Sequence, residues 1–156
     1  MRNVTPLNRI QRFLGQRRIA IIGVSRDPKH FSQVVAREFV AQGYDVAVVN
    51  PAEQVIGSFQ SFRHISDVTP KPDAALILTA PAIAAPILAE VIAAGIGNIW
   101  IYRRMTAPGA EGVIAACVSA NINVIQGECP LMFLPNGSFI HRFHAGLRKL
   151  ALSYPH

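Results

Sequence analysis

The chain has 156 residues, 51% of them hydrophobic, and a formal charge of +6. That length supports one full core and falls short of two ordinary domains, so residues 1–156 are expected to form a single domain. Apolar runs are broken by Gly, Pro, Asn or Arg well before the roughly 20 residues that a bilayer span needs, which excludes a transmembrane helix. The first nine residues lack the uninterrupted apolar stretch of a secretory signal, so the expected compartment is the cytosol.

Short β-rich apolar runs alternate with longer helical patterns, the signature of βαβ units. Thr5-Pro6 reads as a cap and a first-turn proline for a short helix over about 5–14, with Leu7, Ile10, Phe13 and Leu14 at helical spacing until Gly15. Residues 18–23 form a buried first strand ending at Gly23. A helix over 33–42 stops at Gly43, and a second strand over 44–49 closes at Asn50-Pro51, where proline removes a ladder donor. Residues 52–72 are irregular, with a small strand near 59–62. A strand over 73–78, a helix over about 82–94 begun near Pro81 and Pro86, a strand over 98–102, a helix over 109–120 and a last strand over 123–126 follow. After Pro135-Asn136-Gly137, a basic amphipathic helix is expected over about 139–152. The fold class is therefore α/β, Rossmann-like, a mainly parallel sheet with helices on both faces.

Cys117 and Cys129 are expected to be free, buried structural thiols. No Cys/His cluster has zinc spacing, so no metal is expected. The 12 arginines are dispersed. A basic balance suits an anionic ligand, or is general surface charge, and no nucleic-acid motif accompanies it.

In an open parallel sheet, ligands bind outside the carboxyl ends of the strands where their order reverses. Gly23-Val24-Ser25-Arg26 follows the first strand with a small residue, a hydroxyl and an arginine before a helix, a combination suited to a diphosphate. Serine replaces the second glycine of G-x-G-x-x-G, and Gly23 and Ser25 serve a tight turn and a cap equally well. The second strand ends in Asn50-Pro51, where an NAD site usually presents Asp or Glu, which disfavours dinucleotide binding. Thr79-Ala80-Pro81, Tyr102-Arg103-Arg104 and Gln126 to Pro130 complete the strand ends.

The segments Ile19-Ala20-Ile21-Ile22-Gly23-Val24-Ser25, Gly43-Tyr44-Asp45-Val46 and Val49-Asn50-Pro51 with Gly57 recur in one family in this order. So do Asp73, Gly95 before Ile99-Trp100, and Asn123-Val124-Ile125 leading to Cys129-Pro130. Over about 10–135 the chain resembles the coenzyme A-binding domain family, being similar to the N-terminal domain of the succinyl-CoA synthetase alpha subunit and its small free-standing relatives. The resemblance implies that Gly23, Val24, Ser25 and Arg26 cradle the diphosphate or 3′-phosphate of coenzyme A or an acyl-CoA. It also implies that Asn50 and Pro51 border the adenosine, that Thr79, Ala80 and Pro81 line the groove, and that Cys129 and Pro130 lie near the pantetheine arm. Tyr102-Arg103-Arg104-Met105 departs from the glycine often found after the Trp-bearing strand.

The related synthetases carry a phosphorylated histidine on a further domain, and no such domain is expected within these 156 residues. His141 and His144 have no nearby acid to orient an imidazole, and Glu128 would make a Cys129 thiolate scarcer. No catalytic residue is expected. A non-catalytic coenzyme A-binding module is the leading reading. A detached acyl-CoA synthetase subunit needing a partner chain, and a nicotinamide-dependent oxidoreductase fragment, are the alternatives. A homo-oligomer or a synthetase partner subunit is compatible with the sequence.

Overall fold

The computed structural model describes residues 5–52 and 55–135. Their centre is a seven-stranded sheet of β1 (Arg18–Ile22), β2 (Asp45–Val49), β3 (Val55–Ile56), β4 (Phe59–Phe62), β5 (Ala74–Ile77), β6 (Asn98–Ile101) and β7 (Asn123–Gln126). The strand order is β3-β4-β2-β1-β5-β6-β7, parallel throughout except for β3 against β4. This is the expected doubly wound α/β architecture.

The central strands read as unbroken apolar runs because both faces are covered. Ile19, Ile21, Val48, Leu76, Trp100 and Ile125 point to one layer, under α1 (Leu7–Leu14) and α2 (Phe31–Ala41). Ala20, Ala47 and Ala75 stand side by side on the opposite face, with Ile99 continuing the row. That row of small side chains lets Leu88 and Val91 of α3 (Ala84–Ala93) settle onto the sheet, with Cys117 of α4 (Ala110–Ser119) in the same layer.

Several local expectations need correction. Helix α1 begins at Leu7 behind Pro6, with no side-chain cap, so Thr5 does not cap it. Its anchor comes from elsewhere: Arg9 donates to the Val124 carbonyl at 3.3 Å, and Asn123 donates to the Arg9 carbonyl at 3.0 Å. The helix expected from residue 82 opens as a 3₁₀ turn, Pro81–Ile83, and turns α-helical only at Ala84. The irregular stretch after β2 holds a hairpin, in which Gly57 takes φ +60° between Ile56 and Phe59. The space that a Gly57 side chain would need is filled by the Gln33 amide, 3.3 Å from the Cβ position. The basic helix expected over 139–152, with His141 and His144, lies outside the described residues.

Burial pushes the Tyr44 and Tyr102 phenols above 10.0 and the Cys117 thiol above 9.0. Each ionises first in the unfolded chain, which then holds fewer protons than the folded one, so stability falls as pH rises. The contribution is complete below pH 9 and is lost as pH climbs through the folded values. Urea unfolding is expected to show a lower midpoint at pH 10.5 than at pH 8. Tyr44→Phe loses a hydrogen bond to the Leu14 carbonyl, worth about 0.5–1.5 kcal/mol at neutral pH, yet has a shallower alkaline slope.

Candidate functional site

Strand order reverses at β1, which pairs with β2 on one side and β5 on the other. The chain leaves these strands in close apposition. Gly23 donates to the Val49 carbonyl at 3.2 Å, and Leu78 donates to the Ile22 carbonyl at 2.9 Å. Gly23 has φ +90°, and a Cβ there would lie 2.7 Å from Thr79 Cγ2 and 3.0 Å from the Thr79 nitrogen. No side chain fits, so glycine is required for both its conformation and its space.

Two hollows meet above this contact, both walled by Gly23, Thr79 and Ile83. One, of about 250 Å³, runs toward β2 and is floored by Ile22, Val49, Ile65 and Ile87, with Asn50, Pro51, Arg63, His64 and Glu90 at its edges. The other, of about 630 Å³, runs toward β6 and is more polar, with Ser25, His30, Ser32, Ala80, Tyr102 and Arg103 in its wall. Thr79 Oγ1 is buried between them without a hydrogen-bond partner among the described residues.

The segment after Gly23 is a tied loop before α2. Val24 is fully buried in the core, so its side chain cannot meet a ligand and only its backbone is available. Its carbonyl accepts from Asn50 Nδ2 at 3.1 Å, while Asn50 Oδ1 accepts from the Ala52 amide at 2.9 Å. One side chain thereby stitches the exits of β1 and β2 together. The Ser25 amide donates to Ser32 Oγ at 2.8 Å, and the Ser25 carbonyl accepts from the buried Gln33 at 2.7 Å. Ser25 Oγ accepts from the Asp27 amide at 3.1 Å and keeps its own proton to donate. His30 caps α2, its Nδ1 accepting from the Ser32 amide at 3.2 Å and lying 2.8 Å from Ser32 Oγ. Several amides that a helix start would turn toward an anion are thus used internally. Arg26 is exposed and lines neither hollow.

On the β6 side, Phe31 and Tyr102 stack with centroids 4.8 Å apart, and the Arg103 guanidinium lies 5.7 Å over the Tyr102 ring. Burial dominates the raised Tyr102 pKa, the nearby Cys129 thiol adds to it, and Arg103 opposes it. Neither cysteine is in a disulfide; Cys129 is half-buried, unlike the buried Cys117, so only one thiol matches the expectation of full burial. Pro130 is buried and opens a short 3₁₀ turn. Neither Cys129 nor Pro130 lines the hollows, whereas Gly23, Ser25, Asn50, Pro51, Thr79 and Ala80 do. Pro81 is half-buried at the start of the turn that carries Ile83.

Sequence reasoning passed over His30, Phe31, Ile83, Arg63 and His64 as site residues. The Gly57-Ser58 pair between Val55-Ile56 and Phe59 was a hairpin signal that could have brought Arg63 beside Asn50. Among the described residues, no cluster of three or more His, Cys, Asp or Glu could hold a metal, and no helix is long and apolar enough to cross a membrane.

Fold and crevice together define a doubly wound α/β domain with its candidate site at the reversal of strand order. The chain belongs to a family described as CoA binding domain, which matches residues 17–135. No curated protein sequence matches it. Among solved structures, a hypothetical protein from Pyrococcus horikoshii OT3 superposes with a TM-score of 0.70 at 18% identity, covering 82% of this chain and 88% of that one. A Thermus thermophilus protein, cell-free ID.343, gives 0.65 at 25% identity, covering 78% and 91%. The acetyl-coenzyme A synthetase 1 of Ca. Korarchaeum cryptofilum, solved with phosphate and ADP, gives 0.65 at 18% identity, and 76% of this chain matches 27% of that chain.

Proposed function

We propose that the protein, as one domain, binds coenzyme A or an acyl-CoA across the two hollows and performs no covalent chemistry on it. The carrying observation is the Gly23–Thr79 contact, where an apolar hollow and a polar one join at the reversal of strand order. An extended ligand with a base at one end and a polar arm at the other suits that shape. In this reading the adenosine lies beside Asn50 and Pro51, and the diphosphate passes Gly23, the Val24 backbone and the Ser25 hydroxyl, with Arg26 flanking. Thr79, Ala80 and Pro81 border the pantetheine arm, which heads toward Tyr102, Cys129 and Pro130.

The imidazoles support the non-catalytic part. His30 and His64 are the histidines in the hollows, and each uses a ring nitrogen to accept a backbone amide, from Ser32 and Asp67 respectively. A lone pair so engaged is not available to take a proton from a substrate. The likeness of this fold to part of an acetyl-coenzyme A synthetase favours a second reading, a detached subunit working with a partner chain. Co-purification with an ATP-grasp subunit would favour it.

A thermal-shift comparison tests the main reading. Coenzyme A at 100 times its dissociation constant is expected to add about 2.7 kcal/mol, or roughly 5–10 °C at this size. A shift with NADH and none with coenzyme A overturns it.

A further inference from the structure

The strand register puts a cation beside the place where a ribose would sit. β4 runs parallel to β2 with Val49 opposite Phe62, and the Asn50 amide donates to the Phe62 carbonyl at 2.9 Å. The next residue, Arg63, therefore leaves the sheet next to Asn50, and both edge the smaller hollow. Arg63 is exposed, and its guanidinium makes no hydrogen bond or ion pair among the described residues. His64 follows. Its ring accepts the Asp67 amide, which fixes the other ring nitrogen as an N–H donor. In the same hollow, the Glu90 carboxylate extends from α3 and disfavours any anion on that side. What remains is an edge with a forked cation, an imidazole donor and the second Nδ2 proton of Asn50, beside a floor of isoleucines and valine.

In doubly wound folds the end of the second strand meets the nucleoside ribose. An acid there takes a free hydroxyl, and a nearby arginine accommodates a ribose phosphate. Among the described residues, β2 is followed by Asn50 and not by an acid, and Arg63 stands beside it.

We propose that Arg63, assisted by His64 and Asn50, is a subsite for a phosphomonoester on the ribose of the bound nucleotide, making the protein selective for ribose-phosphorylated ligands. The proposal rests on the crevice being a nucleotide site. It does not rest on the ligand being coenzyme A, because the 3′-phosphate of coenzyme A and the 2′-phosphate of NADP offer the same chemistry. A phosphomonoester carries nearly two charges at neutral pH, and a guanidinium can bind two of its oxygens at once.

Calorimetric titration of the full chain and its Arg63→Gln and Arg63→Lys variants, with coenzyme A, 3′-dephospho-coenzyme A, NADP+ and NAD+, tests it. Wild type is expected to prefer coenzyme A over the dephospho form by about tenfold or more, the scale of one charge-assisted hydrogen bond. Arg63→Gln is expected to cut that ratio to within about threefold, and Arg63→Lys to keep part of it, having charge without the fork. Equal binding of the two forms by wild type, or an unchanged ratio in Arg63→Gln, overturns the subsite and leaves the coenzyme A reading standing. An Arg63-dependent preference for NADP+ over NAD+, with no coenzyme A binding, upholds the subsite and overturns coenzyme A as the ligand. Binding of none of the four removes both.

Discussion

Gly23→Ala is expected to destabilise the protein by about 2–6 kcal/mol and to abolish coenzyme A binding in whatever fraction remains folded. Two separate penalties combine. A residue with a Cβ held at φ +90° costs about 1–3 kcal/mol. The new methyl also meets Thr79 Cγ2 at 2.7 Å and the Thr79 backbone nitrogen at 3.0 Å, and relief requires the exits of β1 and β5 to part, an overpacking cost of about 1–3 kcal/mol. Thr79→Ser removes the closest methyl while keeping the hydroxyl, and the backbone contact stays. The double variant is therefore expected to recover part of the stability and not the binding. Urea unfolding with ligand titration of the same samples checks both parts, and a Gly23→Ala variant with wild-type stability would refute the assigned contact.

Trp100→Ala is expected to cost about 3–5 kcal/mol, the range for truncating a large buried aromatic side chain. Trp100 is fully buried, meets Phe13 edge-on at 5.2 Å and Phe133 at 5.9 Å, and donates from Nε1 to the Glu128 carbonyl at 2.9 Å. Trp100→Phe separates the packing from the hydrogen bond. It keeps most of the apolar body and removes the indole hydrogen bond to the Glu128 carbonyl, so a smaller loss of about 1–3 kcal/mol is expected. Because that bond pins the turn leading to Cys129, faster thiol labelling of Cys129 is expected in Trp100→Phe than in wild type. Equal stability of Trp100→Phe and wild type would show that the indole N–H contributes nothing.

The strands were legible because their apolar runs end at Gly, Pro or Asn, and β1, β2, β5, β6 and β7 lie within a residue or so of where those marks put them. The crevice was legible for the same reason at the exits of β1, β2 and β7, marked by Gly23, Asn50-Pro51 and Gly127, while β6 exits through Tyr102-Arg103-Arg104 without such a mark. The burial of Val24 escaped notice because a turn after a strand usually points outward, yet after Gly23 the side chain of Val24 packs into the layer of Ile19 and Ile21, on the opposite face from Ile22. The ties of Ser25 to Ser32 and Gln33 were hidden because they join residues seven and eight apart through side chains, which no periodicity records. Arg63 was missed because it depends on register. Nothing local to Phe62-Arg63 says that this strand pairs with β2, and only the pairing places Arg63 beside Asn50.

The stitching of β1, β2 and β5 around Gly23 also separates a floor from a rim. The floor is held by backbone hydrogen bonds and by a glycine that cannot be replaced, so it is pre-organised and spends little ordering entropy when a ligand arrives. The rim, with Ile83, Arg63 and Arg103, is exposed and contributes little to the core. If the crevice holds the ligand proposed above, substitutions at the rim are expected to change which ligand is held while folding stability stays nearly unchanged.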